Sequence, residues 1–136
     1  MKSFSVENVK SFKNKTEIEL KPLTILVGRN SCGKSSLLRF PVVLSQTCDD
    51  DSQSPLQLYG KLIDYGTFND VVFDHQGDDI AFALKYDVVV NNSTFQSKKR
   101  SNNEAQDIRT VEIVTHVGIA NARLVVTNQK LGILCY

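Results

Sequence analysis

The eight residues Gly28-Arg29-Asn30-Ser31-Cys32-Gly33-Lys34-Ser35 constrain this chain more than any other stretch. They have the form G-x-x-x-x-G-K-[ST], the phosphate-binding P-loop or Walker A pattern. Each fixed position has a physical job. Gly28 and Gly33 let the backbone turn its N–H groups inward into a concave nest for phosphate oxygens. Lys34 reaches the β- and γ-phosphates as a compact positive charge, and the Ser35 hydroxyl is placed to ligate a Mg²⁺ that bridges them. A helix starting at this point also aims its N-terminal N–H groups and positive dipole end at the same anion. With average residue usage the four fixed positions would coincide in about one of two hundred chains of this length. The flanks strengthen the match. Pro22-Leu23-Thr24-Ile25-Leu26-Val27 reads as a buried strand ending at Gly28, and Ser36-Leu37-Leu38-Arg39-Phe40 reads as a helix, the strand–loop–helix context that a P-loop requires.

At 136 residues the chain is long enough for one small domain with a core and short for a complete P-loop ATPase. Hydrophobic residues make up 41% and charged residues 23%, which is ordinary globular composition. The net charge of +1 supplies no global field to recruit nucleic acid or membrane. Locally the charge is uneven: residues 1–48 carry eight Lys/Arg against three Asp/Glu, residues 49–92 two against nine, and residues 93–136 six against three. Basic residues near a phosphate site are expected, and the acidic middle reads as a solvated surface. Cys32, Cys48 and Cys135 show no C-x-x-C spacing, so neither a zinc site nor a disulfide framework is indicated. No run has the form of a signal peptide or the length of a membrane span, and a reducing cytoplasm fits this usage.

Along the chain, residues 3–9 and 16–20 alternate as two half-buried strands joined at Asn14-Lys15. The helix after Lys34 is expected to run to about Cys48 through Pro41, apolar on more than one face and buried against a sheet. Residues 49–55 are a polar loop. Residues 56–58 and 61–64 look like short strands around Gly60, and Thr67 caps a single helical turn. Residues 80–90 form a long β-prone run, and residues 91–106 a polar connection. Residues 111–117, 123–127 and 132–136 give three further strands with turns at 118–121 and 128–130, so that the second half is an antiparallel meander.

A P-loop holds phosphates; cleaving them also needs an acid at the end of an apolar strand, the Walker B position, and a group that orients water. Tyr86-Asp87-Val88-Val89-Val90 ends in Asn91, Val71-Val72-Phe73-Asp74 has only three apolar residues before its acid, and no Ser-Gly-Gly signature loop occurs. The simplest account is the N-terminal part of a longer ATPase. Asp74-His75-Gln76-Gly77 has the D-x-x-G form of small GTPases, but that pattern arises by chance in about a third to a half of chains this long. The guanine-reading N-K-x-D is absent, and two strands ahead of the P-loop strand suit a GTPase poorly.

Residues 1–40 resemble the N-terminal lobe of ABC-type, SMC/RecF-like bacterial AAA-family ATPases. The resemblance lies in Val9-Lys10-Ser11-Phe12-Lys13 between two strands, then Leu23-Thr24-Ile25-Leu26-Val27-Gly28-Arg29-Asn30-Ser31-Cys32-Gly33-Lys34-Ser35-Ser36. Residues 55–72 look like the Gly-x-x-Val-Asp-x-Gly-Ser-Phe-x-Asp segment of one branch of that family. The resemblance implies an α/β fold with α+β character: a P-loop core over residues 1–48 and an antiparallel β-subdomain over 49–136, together one partial ATPase domain. It implies ATP and Mg²⁺ as ligands. It also implies that Asn30 and Ser31, with the backbone of residues 33–36, wrap the phosphates, and that Lys10 or Lys13 lies near the α-phosphate.

The candidate nucleotide-binding set is therefore Gly28, Asn30, Ser31, Cys32, Gly33, Lys34, Ser35 and Ser36, with Ser35 as the Mg²⁺ ligand and no catalytic residue assigned. Members of such families sandwich ATP between two nucleotide domains and work in DNA maintenance or anti-phage defence, commonly beside a nuclease. A homodimer or the remainder of the ATPase, a nuclease, or DNA are the partners the resemblance implies, and a membrane is not among them. Two other readings stay open: a non-catalytic fragment that makes protein contacts, and a nucleic-acid module using Lys98-Lys99-Arg100 and Arg109.

Overall fold

A computed structural model describes residues 1–49, 54–75, 79–90, 107–121 and 123–134. Among the described residues five strands form one wholly antiparallel sheet in the order β2-β1-β3-β4-β5: β1 Ser3–Glu7, β2 Thr16–Glu19, β3 Asp79–Val90, β4 Asp107–Ala120 and β5 Arg123–Leu134. The 16-residue helix α1, Lys34–Asp49, and the short helix α2, Phe68–Val71, complete the regular elements beside a 3-10 turn at Phe73–His75. No helix among the described residues is long and apolar enough to cross a membrane.

The core forms where the apolar stripe of α1 meets the sheet. Leu37, Phe40 and Val43 recur at helical spacing and are buried with Phe4 and Val6 of β1, Ile80 of β3 and Val117 of β4. Phe40 sits edge-on to Phe82 at 5.6 Å and to Tyr65 at 6.2 Å between ring centres. Strand β1 is buried on both faces, not half-buried as its alternation predicts. Phe4 and Val6 face the core, while Ser3 and Ser5 are buried too, and Ser3 Oγ donates to Glu17 Oε1 at 2.6 Å. Around them Lys85 pairs with Glu17 at 2.7 Å and reaches Glu112 at 3.9 Å, tying β2, β3 and β4 together by charge. The hydrogen bond from Lys85, then that from Ser3, holds the Glu17 carboxyl below its ordinary range.

Five expectations are corrected. Residues 22–27 form no strand and pair with none among the described residues. Leu26 packs on the core while Leu23, Ile25 and Val27 stand 76%, 71% and 87% exposed, because a strand needs a neighbour and the sheet edges here belong to β2 and β5. The second apolar face of α1, Leu38 and Val42, is likewise exposed.

Residues 56–64 are not two strands. Their backbone groups bond to helix side chains: Gln46 Nε2 donates to Gln57 and Ile63 carbonyls, Gln46 Oε1 accepts from Ile63 N, and Thr47 Oγ1 accepts from Gln57 N. A single bridge, Tyr59 to Asp64, remains. The strands read at 123–127 and 132–136 are, over the described residues 123–134, one strand, β5, whose register against β4 slips by one residue at His116/Val117, so that Thr127 is the extra residue of a bulge; residues 135 and 136 lie outside the described residues. Finally, β1 ends at Glu7, where Asn8 takes φ +58°, and the turn into β2 closes at Val9/Phe12, ahead of Asn14-Lys15. The long run 80–90 and the Thr67-capped turn do match β3 and α2.

Candidate functional site

The turn between β1 and β2 is built rigidly. Val9 and Phe12 exchange backbone hydrogen bonds at 3.0 and 2.8 Å, Asn8 N–H bonds Lys13 O, and Lys10 N–H bonds Val71 O at 2.6 Å. Asn8 and Lys10 occupy left-handed backbone (φ +58° and +52°), a conformation that costs a side-chain-bearing residue about 1 kcal/mol and persists because those bonds hold it. The turn carries Ser11 and Phe12 onto the glycine-rich loop. Gly33 has φ +92°, and a Cβ there would lie 2.8 Å from the Phe12 ring and 3.0 Å from Ser11 Cβ. Both the backbone angle and the close approach therefore demand glycine.

At this junction a cavity of about 170 Å³ is lined by Ser11, Ser31, Gly33, Lys34, Ser35 and Ser36. Its chemistry is that of an anion site. It has hydroxyls and an ammonium but no carboxylate, and helix α1 begins in it with no acidic residue in its first turn. Ser31 is left-handed (φ +63°), in a turn at Asn30-Ser31. Lys34 Nζ donates to Gly28 O at 2.8 Å and Arg29 O at 2.6 Å, with Cys32 Sγ at 3.7 Å. The ammonium thus bonds the loop's own carbonyls.

Of the residues singled out in the sequence, Ser31, Gly33, Lys34, Ser35 and Ser36 come together in this cavity. Gly28 meets them through the Lys34 bond, and a Cβ on it would sit 3.1 Å from Cys32 Sγ. Asn30 and Cys32 are exposed on the loop and do not line the cavity. Lys13 lines neither this cavity nor the next. Lys98, Lys99 and Arg100 lie outside the described residues, as do Gln76 and Gly77 of the D-x-x-G run, and Asp74 lines neither cavity.

A second, larger cleft of about 490 Å³ adjoins the first at Ser36, which lines both. The motif reading missed it. Arg39 comes from the next turn of α1, Lys10 from the β1–β2 turn, and Asp64, Tyr65, Gly66, Asp70 and His75 from the segment around α2. Lys10 Nζ lies 5.1 Å from the centre of the Tyr65 ring, a cation–π contact. Tyr65 OH donates to Ser36 O at 2.9 Å, and burial pushes its pKa up to about 12, so it stays a neutral donor. The Asp70 carboxylate caps α2, accepting from Thr67 N and Oγ1 at 2.9 and 2.7 Å, and those bonds hold its pKa below the ordinary value. The signal that could have found this cleft was the Gly-x-x-Val-Asp-x-Gly-Ser-Phe-x-Asp likeness of residues 55–72, which falls on its wall.

Among the described residues no group of three or more His, Cys, Asp or Glu is placed to hold a metal ion. A family model described as an AAA ATPase domain matches residues 1–124. No curated protein and no solved structure matches the chain.

Proposed function

The chain belongs to the AAA ATPase domain family, and from that premise we propose that it binds ATP with Mg²⁺ through residues 28–36 acting as a P-loop. The observation that carries this reading is the cavity at the start of α1, in which Gly33 (φ +92°) is pressed under Phe12 beside Ser31, Lys34, Ser35 and Ser36. Lys34 exchanges its two carbonyl partners for β- and γ-phosphate oxygens, a gain because charge-assisted bonds to an anion are stronger than bonds to neutral carbonyls. Backbone N–H groups of residues 33–36 and the hydroxyls of Ser31 and Ser36 complete the cradle.

A hydroxyl beside an anion cradle is the donor that Mg²⁺ takes in such sites, and Ser35 fits that role. Held there by Ser35, Mg²⁺ would offset the charge of the phosphates. Neither Asp nor Glu lines the phosphate cavity, so the described residues hold the triphosphate without an acid to organise its cleavage. Hydrolysis then requires an acid brought to the site from another segment or subunit.

We place the chain in the ABC/SMC/RecF-like branch as an N-terminal lobe. Supporting this are the two strands ahead of the loop, the antiparallel sheet, and Leu23, Ile25 and Val27 standing exposed as they would in a P-loop strand without its parallel neighbours. A role in DNA maintenance or phage defence, with a dimer, a nuclease or DNA as partner, rests on that resemblance alone. The test is calorimetric titration of Mg-ATP into the wild-type chain and Lys34→Ala. The variant loses binding; undiminished binding sinks the reading.

The exposed apolar run also favours a second reading, a lobe whose main task is contact with another protein. It predicts self-association of the isolated chain, and a monomeric, cooperatively unfolding chain counts against it.

A further inference from the structure

We propose that Phe12 is a positioning residue for phosphate binding: its ring, pressed on Gly33 by the β1–β2 turn, holds residues 31–36 in their anion-binding shape before a ligand arrives. This rests on the phosphate assignment above and extends it to a side chain that lines neither cavity. Contact is the first argument. A Cβ on Gly33 would meet two Phe12 ring atoms at 2.8 and 2.9 Å, so the ring fills the space on that side of the glycine. Glycine by itself takes positive and negative φ about equally. Its residue type therefore permits φ +92° without selecting it, and the ring standing against it supplies the selection. Two positions earlier Ser31 sits at φ +63°, an angle that an unrestrained serine leaves for the right-handed or extended regions.

Tethering is the second argument. Among the described residues, the hydrogen bonds onto residues 28–33 come from Lys34 Nζ and, at the head of α1, from Leu37 N to Gly33 O. When Lys34 turns to phosphate oxygens, its bonds to Gly28 O and Arg29 O are given up, and the Phe12 contact stays. Anchorage is the third argument, since a clamp works only if it is itself fixed. Phe12 is half-buried and packs on the core. Val9 bridges both Phe12 and Val72, Lys10 N–H bonds Val71 O at 2.6 Å, and Phe73 N–H bonds Asn8 O at 3.1 Å. Val9, Val71 and Val72 are all buried, so the segment around α2 braces the turn, and the turn braces the loop. A ring already held in this way loses little freedom when a ligand binds.

The experiment uses the full chain with Mg²⁺ and titrates two probes, ATP and inorganic tripolyphosphate, by calorimetry. Phe12→Leu removes the ring atoms at Gly33 and keeps an apolar side chain for the core. It is expected to weaken both probes equally, about tenfold, as the binding-competent fraction of loops falls to about one tenth. Phe12→Met, whose flexible side chain holds no fixed position against the glycine, behaves alike. Amide hydrogen exchange at residues 31–36 of the ligand-free chain reads the same loosening as faster exchange. Gln46→Leu is the control for general loss of stability: it strips bonds from the last turn of α1 and keeps wild-type affinity and wild-type exchange at residues 31–36. Affinity within about twofold of wild type in Phe12→Leu and Phe12→Met overturns the proposal. So does an equal loss in Gln46→Leu, or weakening of ATP alone, since the ring would then act elsewhere than on the phosphate loop. Lys34→Ala separates this from the assignment beneath it. Loss of both probes there, with the Phe12 variants unchanged, leaves the phosphate assignment standing and removes the clamp; a wild-type chain that binds neither probe removes both.

Discussion

Gly33→Ala is the sharpest perturbation of the loop, because two independent costs meet at one atom. At φ +92° an added side chain strains the backbone by about 1–2 kcal/mol. The new Cβ would also lie 2.8 and 2.9 Å from two atoms of the Phe12 ring and 3.0 Å from Ser11 Cβ, an overpacking that costs about 1–3 kcal/mol. Against these stands a gain of about 0.4–1 kcal/mol from the stiffer unfolded chain. The net is a destabilisation of about 1–5 kcal/mol, to be set against the 5–15 kcal/mol typical of a domain. Urea unfolding followed by circular dichroism reads it as a lower midpoint at constant slope.

The two costs separate in a Phe12→Leu background. Leucine lacks the ring atoms in the closest contacts, so there the same glycine substitution costs less, keeping the backbone term of about 1–2 kcal/mol and the contact with Ser11 Cβ. Equal cost in both backgrounds refutes the clash. A Gly33→Ala chain within about 0.5 kcal/mol of wild type refutes the whole account of the turn.

Two further outcomes follow from the packing. Gln46 is 4% exposed and bonds two carbonyls and one N–H of residues 57–63, so Gln46→Leu should cost about 2–4 kcal/mol by stranding those groups. A melting temperature equal to wild type would show that the segment 56–64 does not depend on the helix for its hydrogen bonds. Glu17 has its carboxyl held below the ordinary value of 4.5 by Lys85 and Ser3, so its contribution is fully present above about pH 4.5 and is lost as pH falls through the lower folded value. Glu17→Gln should flatten the stability profile in that acidic window. Identical acid limbs for the two proteins would argue that the pair contributes nothing.

How far the sequence reached depends on how local each feature is. Strand β3 was legible because its twelve residues carry a dense β-branched and aromatic pattern. The Thr67 cap was legible because its partner Asp70 is three residues away. Strand β5 was misread as two because residues 126–132 are all exposed on an edge strand. With no layer over them, polar Asn128, Gln129 and Lys130 break no alternation that burial would enforce, and the Thr127 bulge absorbs the slip in register. Residues 56–64 looked like strands because apolar alternation cannot report that Gln46 and Thr47, ten and more positions away, occupy their backbone groups. The apolar run 22–27 has the composition of a buried strand, but burial needs a partner that its own residues do not encode.

The sequence by itself determined the glycine-rich pattern at residues 28–35 and the family likeness, because such a pattern is a short-range object. Its glycines, lysine and serine lie within eight consecutive residues, and the backbone angles open to each position depend on its residue type. Only the tertiary structure decided what stands beside it. The cleft at Ser36 draws on Lys10 from the β1–β2 turn, Arg39 from α1 and Asp64 to His75 from the segment around α2. They are assembled by long-range bonds such as Tyr65 Oη to Ser36 O and Lys10 N to Val71 O. No spacing along the chain encodes that meeting, since the free energy that drives it is the burial of Phe40, Tyr65 and Val71 in a common core.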